Sequence, residues 1–139
     1  MSSLQLVALM VHEYDPAISF FIDDLGFDLI EDKPSLTNDG LPKRWVVVRP
    51  PGGGPQTGIL LARADGPEQS AIVGKQFAGR VGFFWHVDDF QKQYDKLRGR
   101  GVRFVSEPRD EAYGRVVVFL DIAGNKWDLL GSSSGDTSP

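Results

Sequence analysis

VGFFWHVDDFQKQYDKLRGRGVRFVSEPRDEAYGRVVVFLDIAGNKWDLL, residues 81–130, reads as strand, helix, strand, strand, strand. Val81–Val87 is a run of β-branched and aromatic residues, types that suit a pleated and half-buried surface. It stops at Asp88-Asp89, where Asp88 with Gln91 three residues on makes a capping-box pattern for a helix start. Phe90, Tyr94 and Leu97 then recur at i, i+4 and i+7, which puts one apolar face on that helix. Gly99 and Gly101 end it, and Arg98 and Arg100 sit where positive charge suits the C-terminal dipole. Three short strands are expected next, at residues 102–107, 115–121 and 126–130. Ile122-Ala123-Gly124-Asn125 forms a tight turn between the last two, with Gly124 or Asn125 able to take positive φ.

The start of the chain repeats this pattern. Val11-His12-Glu13-Tyr14 lies over Val87-Asp88-Asp89-Phe90, Ile18 over Tyr94 and Phe21 over Leu97. Leu25-Gly26-Phe27 then matches Arg100-Gly101-Val102 with one residue of slippage. Identity between the halves is low, so the repeat rests on element order and apolar spacing. It predicts an α+β chain of two βαβββ modules: residues 1–63, a linker at 64–80, residues 81–130, and a disordered tail at 131–139.

Within the first module, residues 4–11 are nearly all apolar, as in a strand buried on both faces. Asp15-Pro16 reads as N-cap and first helical residue, and Ile18, Phe21 and Leu25 as the inner face. A strand at 27–31 is followed by a polar, turn-rich segment at 32–42, a loop or hairpin end. Strands at 43–49 and 58–63 flank Pro50-Pro51-Gly52-Gly53-Gly54-Pro55. Those glycines lead into a strand rather than a helix N-terminus, so they read as a turn and not a phosphate cradle. Residues 68–73 carry one or two helical turns within the linker.

The composition excludes several classes. A net charge of −4 gives no basic footprint for nucleic acid, and the one basic cluster, residues 96–103, is small. Without cysteine there is no disulfide, thiolate chemistry or sulfur-ligated metal. The N-terminal apolar run has no basic flank and is too short for a signal peptide or a membrane span, so a cytoplasmic protein is expected.

Phe20-Phe21-Ile22-Asp23-Asp24-Leu25-Gly26-Phe27 resembles the F-Y-x-x-x-L-G-F pattern of the vicinal oxygen chelate superfamily: glyoxalase I, bleomycin- and fosfomycin-resistance proteins and extradiol dioxygenases. Val87-Asp88-Asp89 resembles its V-D-D, and residues 121–129 resemble its D-P-D-G-N-x-x-E-L, with Ile122-Ala123 in place of Pro-Asp. Gly101-Val102-Arg103-Phe104 and Tyr113-Gly114-Arg115 fall between them in the family's order. The resemblance implies two paired modules forming an open, glyoxalase-like barrel, and a homodimer. It also implies a cavity in which a divalent metal, where the family has one, is chelated by the first and last strand of each module.

Those four positions fall here on Leu6, Leu60, Gly82 and Asp128. Three lack a coordinating side chain, and a divalent site needs about three protein ligands. No cofactor is therefore expected, with a divalent metal held by Asp128 and other ligands as the alternative. His86 shares strand parity with Gly82 and Phe84, a rim position open to a structural, acid–base or ligand role. His12, at the helix entry, reads as a turn residue. Consecutive Phe83, Phe84 and Trp85 must alternate faces, so some aromatics fill the core and Phe84 is a candidate to line an apolar cavity. Arg115 is the candidate polar anchor beside it, as a guanidinium pairs with carboxylate or phosphate. The expected function is metal-independent binding of a hydrophobic or planar small molecule. The alternatives are a lyase, isomerase or dioxygenase using a metal or His86 and Asp128, and an assembly module with a plugged cavity.

Overall fold

The computed structural model describes residues 1–132. Alternating and helical apolar periods fold the chain into two compact units, Met1–Gln76 and Phe77 onward, on one plan. The first holds β1 (Leu6–Val11), α1 (Tyr14–Ser19) widening into a π turn at Phe20–Asp24, β2 (Asp28–Leu36), β3 (Pro42–Arg49), β4 (Gly58–Arg63) and α2 (Gly66–Ile72). The second holds β5 (Val81–Val87), α3 (Phe90–Gly99), β6 (Arg109–Glu111), β7 (Gly114–Leu120) and β8 (Lys126–Gly131). The sheets run β1-β4-β3-β2 and β5-β8-β7-β6. In each, the first strand lies parallel to the last and the other neighbours are antiparallel. The fold is α+β and the repeat is real.

In each unit one sheet face packs on the long helical segment. Leu9, Val11, Val46, Val48 and Leu61 meet Ala17, Phe21 and Leu25, all nearly inaccessible. Phe20 and Phe27 close on Phe21 at ring distances of 5.3 and 5.6 Å. In the second unit Phe90, Tyr94 and Leu97 turn inward as their spacing predicts. Rings continue from them through Phe104, Phe119, Trp127 and Phe83, with Phe83 stacked on Trp127 at 4.3 Å. Most of the aromatic content is therefore core.

Several boundaries move. The first strand starts at Leu6, and Ala8 on it is exposed, so it is buried on one face rather than two. α1 begins at Tyr14 with Glu13 at the cap position, which places Pro16 third rather than first. The segment expected as strand and loop at 27–42 is one long hairpin arm, Asp28–Leu36, paired with β3 through Leu36↔Pro42. Pro34 is tolerated because β2 is the outer strand. The cap of α3 is Asp89, not Asp88: its Oδ1 accepts the Lys92 N–H at 3.1 Å, while Gln91 donates to Asp95 instead.

The strand expected at 102–107 is reduced to one isolated bridge, Phe104 to Phe119, flanked by bonds from Val105 N–H to the Val118 carbonyl and from Leu120 N–H to the Arg103 carbonyl, each 2.9 Å. The true hairpin partner of β7 comes later, at Arg109–Glu111, after Pro108, which has no N–H to continue a ladder. Gly131 belongs to β8 rather than to a tail, and residues 133–139, where the remainder of that expected tail falls, lie outside the described residues.

The β7–β8 turn is held by Asp121. Its buried carboxylate accepts from the backbone N–H of Ala123 and Asn125, the Asn125 amide and the Trp127 indole, at 2.9–3.2 Å. Gly124 takes the positive φ that the turn requires, at 99°.

Candidate ligand-binding site

The sheet faces turned away from the helices differ between the units. In β5 and β8 the parallel register sets Phe84 beside Asp128, and β7 adds Val118 on the other side. The next row along is His86, Leu130, Val116 and Arg109, one residue from each of the four strands. By strand rise, His86 and Asp128 lie about 7 Å apart along the strands on one face.

Phe84 is a large aromatic left 68% exposed. Asp128 beside it is 7% exposed, and its Oδ1 is buried without a hydrogen-bond partner among the described residues. Burial pushes the Asp128 carboxyl above the usual carboxylate range, and the positive Arg109 partly opposes the shift. Arg109 itself donates from Nε to Glu111 Oε1 at 2.7 Å. The face thus carries an open aromatic ring, a desolvated carboxyl and an imidazole within two rows of one sheet.

Arg115 is not part of this group. It pairs across from Gly131 and Asp110, on the parity of Val117 and Phe119, and its guanidinium lies over the Phe90 ring at 6.0 Å on the helix side. Its Nε is 3.6 Å from Asp110 Oδ1. The cation facing Asp128 is Arg109, which sequence reasoning missed because the hairpin strand was placed at 102–107. The two-residue connection Ala112-Tyr113 before Gly114 was the available signal, without the Asn-Gly or Asp-Gly pair that marks such turns.

In the first unit the corresponding face is apolar on its three inner strands, and the edge strand β2 adds Glu31 and Lys33 beside Val47 and Trp45. Leu60 lies between Ala8 and Val47, and Leu6 sits opposite Gly58. A hollow of about 510 Å³ runs over Leu60, Ala62 and Trp45 towards Arg44 and Arg63.

The family model for the Glyoxalase/Bleomycin resistance protein/Dioxygenase superfamily matches residues 3–129. The chain belongs to that superfamily. It is 47% identical to an uncharacterized protein of Shewanella frigidimarina (strain NCIMB 400), over 92% of both chains. Among solved structures it is similar to UcmS2, with a TM-score of 0.77 and 28% identity over 94% of this chain and 98% of that one. It is also similar to TnmS3, an antibiotic binding protein from Streptomyces sp. CB03234, with a TM-score of 0.73 and 28% identity over 96% and 98% of the two chains.

The four residues expected at the chelating positions, Leu6, Leu60, Gly82 and Asp128, offer one donor side chain between them. Leu6 and Leu60 have no donor atom. Gly82 is the extra residue of a bulge between Val81 and Phe83, which breaks its alternation with Phe84 and His86. A Cβ built there would collide with the Phe77 ring, so the space for a ligand side chain is already filled. Asp128 alone supplies a carboxylate. Among the described residues no group of three or more His, Asp or Glu converges as a metal site, and no helix is long and apolar enough to cross a membrane.

Proposed function

We propose that this superfamily member binds a planar, largely apolar small molecule, in sequestration or sensing, without a chelated metal. The reading is carried by Phe84, whose exposed ring stands in register with the desolvated Asp128. An exposed ring next to an unsatisfied carboxyl is costly unless a ligand covers both, the ring by stacking and the carboxyl by a hydrogen-bond donor. The likeness to an antibiotic binding protein at 28% identity supports a small-molecule ligand. A second copy of the chain is the expected protein partner, to be read from sedimentation.

The test is a titration with polycyclic planar compounds, with and without an amino or hydroxyl group, followed by tryptophan fluorescence. Phe84→Ala is expected to weaken binding at least about tenfold, and Asp128→Leu, which removes the acceptor, to erase the preference for the donor-bearing member of each pair. Binding indifferent to both substitutions would overturn the reading. The second reading, an enzyme using His86 and Asp128 for acid–base chemistry or a metal held by Asp128 with other ligands, is favoured by their placement on one face. It calls for titration of chelator-stripped protein with Ni²⁺, Zn²⁺, Mn²⁺ and Fe²⁺. Stoichiometric binding abolished by Asp128→Ala would replace the first proposal.

A further inference from the structure

At one end of the first unit the buried Tyr14 ring carries two guanidinium groups, Arg44 at 5.1 Å and Arg63 at 5.3 Å. Their commitments differ. Arg44 is committed to two carboxylates: Nε and Nη2 reach the two Asp32 oxygens at 3.1 and 2.7 Å, and Nη1 reaches Asp15 at 2.8 Å. Those bonds, Asp32 first, hold its pKa above the ordinary arginine value. Arg63 has no carboxylate partner among the described residues, and neither has Lys43.

We propose that Arg63 and Lys43, flanking Tyr14, form a binding site for an oxyanion, the carboxylate or phosphate group of a small molecule. A guanidinium held over a ring by cation–π attraction still has its N–H donors for a bidentate acceptor, and contact with a buried ring restricts its rotamers beforehand. Both side chains line a cleft of about 490 Å³, within the roughly 300–1,000 Å³ typical of small-molecule sites. Three basic and two acidic side chains line it, in a chain whose net charge is −4. One of the acids, Asp15, is already engaged by Arg44, and Glu13 is the remaining opposing charge.

The hollow over Trp45 and Leu60 shares Tyr14, Lys43, Arg44 and Arg63 with this cleft. An anion held at Arg63 therefore has Trp45, Leu60 and Ala62 within reach of an attached ring or chain, in a hollow that Asp39 and Asp65 also line. The site lies wholly in the first unit and does not depend on the reading of Phe84 and Asp128.

The experiment is a chemical-shift titration of the ¹⁵N-labelled full chain with benzoate, phenyl phosphate, inorganic phosphate and benzyl alcohol. Benzoate and phenyl phosphate are expected to move the signals of Tyr14, Lys43 and Arg63, including the Arg63 side-chain Nε, and benzyl alcohol to leave them in place. Arg63→Gln should weaken binding about tenfold, Lys43→Gln less, and added salt should weaken the wild type. Equal movement with inorganic phosphate assigns the site to the free anion, whereas movement with the ring-bearing anions alone assigns it to the anionic group of an organic ligand. Shifts unchanged by Arg63→Gln, or scattered over the surface lysines, would overturn the proposal. The variant spectrum itself reports whether the fold is retained.

Discussion

The two units share one strand order but distribute polarity in opposite ways. The first keeps ionisable groups off the inner strands of its open sheet face, where Leu6, Ala8, Val47 and Leu60 lie, and leaves them to the edge strand, with Glu31 and Lys33, and to one end around Tyr14. The second places Asp128 in the middle of the sheet, with Phe84 and His86 on the neighbouring strand. Their edges and turns differ too. The outer edge of β1 is closed by a side-chain amide: Met10 N–H donates to Gln76 Oε1 at 3.0 Å and Gln76 Nε2 donates to the Ala8 carbonyl at 2.8 Å, as a strand would. The turn into β8 is held by the buried Asp121 network, whereas the loop into β4 has two long bonds from Gln56, at 3.4 and 3.3 Å, and one exposed bond from the Thr57 hydroxyl to the Leu4 carbonyl, at 2.8 Å. A duplicated scaffold has thus kept its core rules while its faces, edges and turns diverged, since only the core is fixed by packing on the helix.

The sharpest way to break this contrast is at the turns. Asp121→Ala leaves the Trp127 indole N–H and the Asn125 amide without their buried acceptor, and should cost about 3 kcal/mol of stability. Gln56→Ala, in the exposed loop of the first unit, should cost less than about 0.5 kcal/mol. Urea unfolding of both variants reads the difference. Equal losses would show that the second turn is no more structural than the first.

A smaller effect is expected at Gly82. Adding a methyl group there forces the Phe77 ring aside and should cost roughly 1–3 kcal/mol. Combining Gly82→Ala with Phe77→Ala should cost less than the two single losses added together, because the collision is then gone. A strictly additive double variant, measured by denaturation, would show that the ring does not occupy that space. The same collision explains why a histidine at Gly82 alone would not rebuild a chelate.

Much of the fold was legible because apolar periodicity is a local record of burial. Phe90, Tyr94 and Leu97 marked the helix face, and the pattern around Val11 and Val87 revealed the duplication. What was not legible depended on register. Placing the hairpin strand at 102–107 rather than Arg109–Glu111 hid Arg109 and left Arg115 as the apparent anchor, although Arg115 has the parity of the core residues Val117 and Phe119. The bulge at Gly82 likewise shifted one strand end by a residue, and a single-residue slip exchanges the two faces of a sheet. Asp121 was visible as part of a turn motif, but its four bonds depend on where the Trp127 indole folds back, which no spacing states.

The finest difference between the units is electrostatic, and it sets opposite pH slopes. In the first unit the hydrogen bond from Arg44 holds Asp32 below the usual carboxylate range. In the second, desolvation holds Asp128 above it, against the pull of Arg109. A depressed folded-state pKa contributes stability that is complete above the unfolded value, about 3.9, and is lost as pH falls through the lower folded value. A raised one does the reverse: the penalty for the buried charge is complete at neutral pH and disappears as pH falls through the folded value towards 3.9. Unfolding free energies of wild type, Asp32→Asn and Asp128→Asn, measured from about pH 7 to about pH 3, separate the two. The advantage of wild type over Asp32→Asn, at most about 1 kcal/mol for so exposed a pair, should hold down to about pH 4 and then shrink. Relative to Asp128→Asn, wild type should gain stability over the higher part of the range and level off below about pH 4. Parallel slopes would show that Asp128 is not desolvated, and would remove the physical reason for reading it as a carboxyl awaiting a ligand.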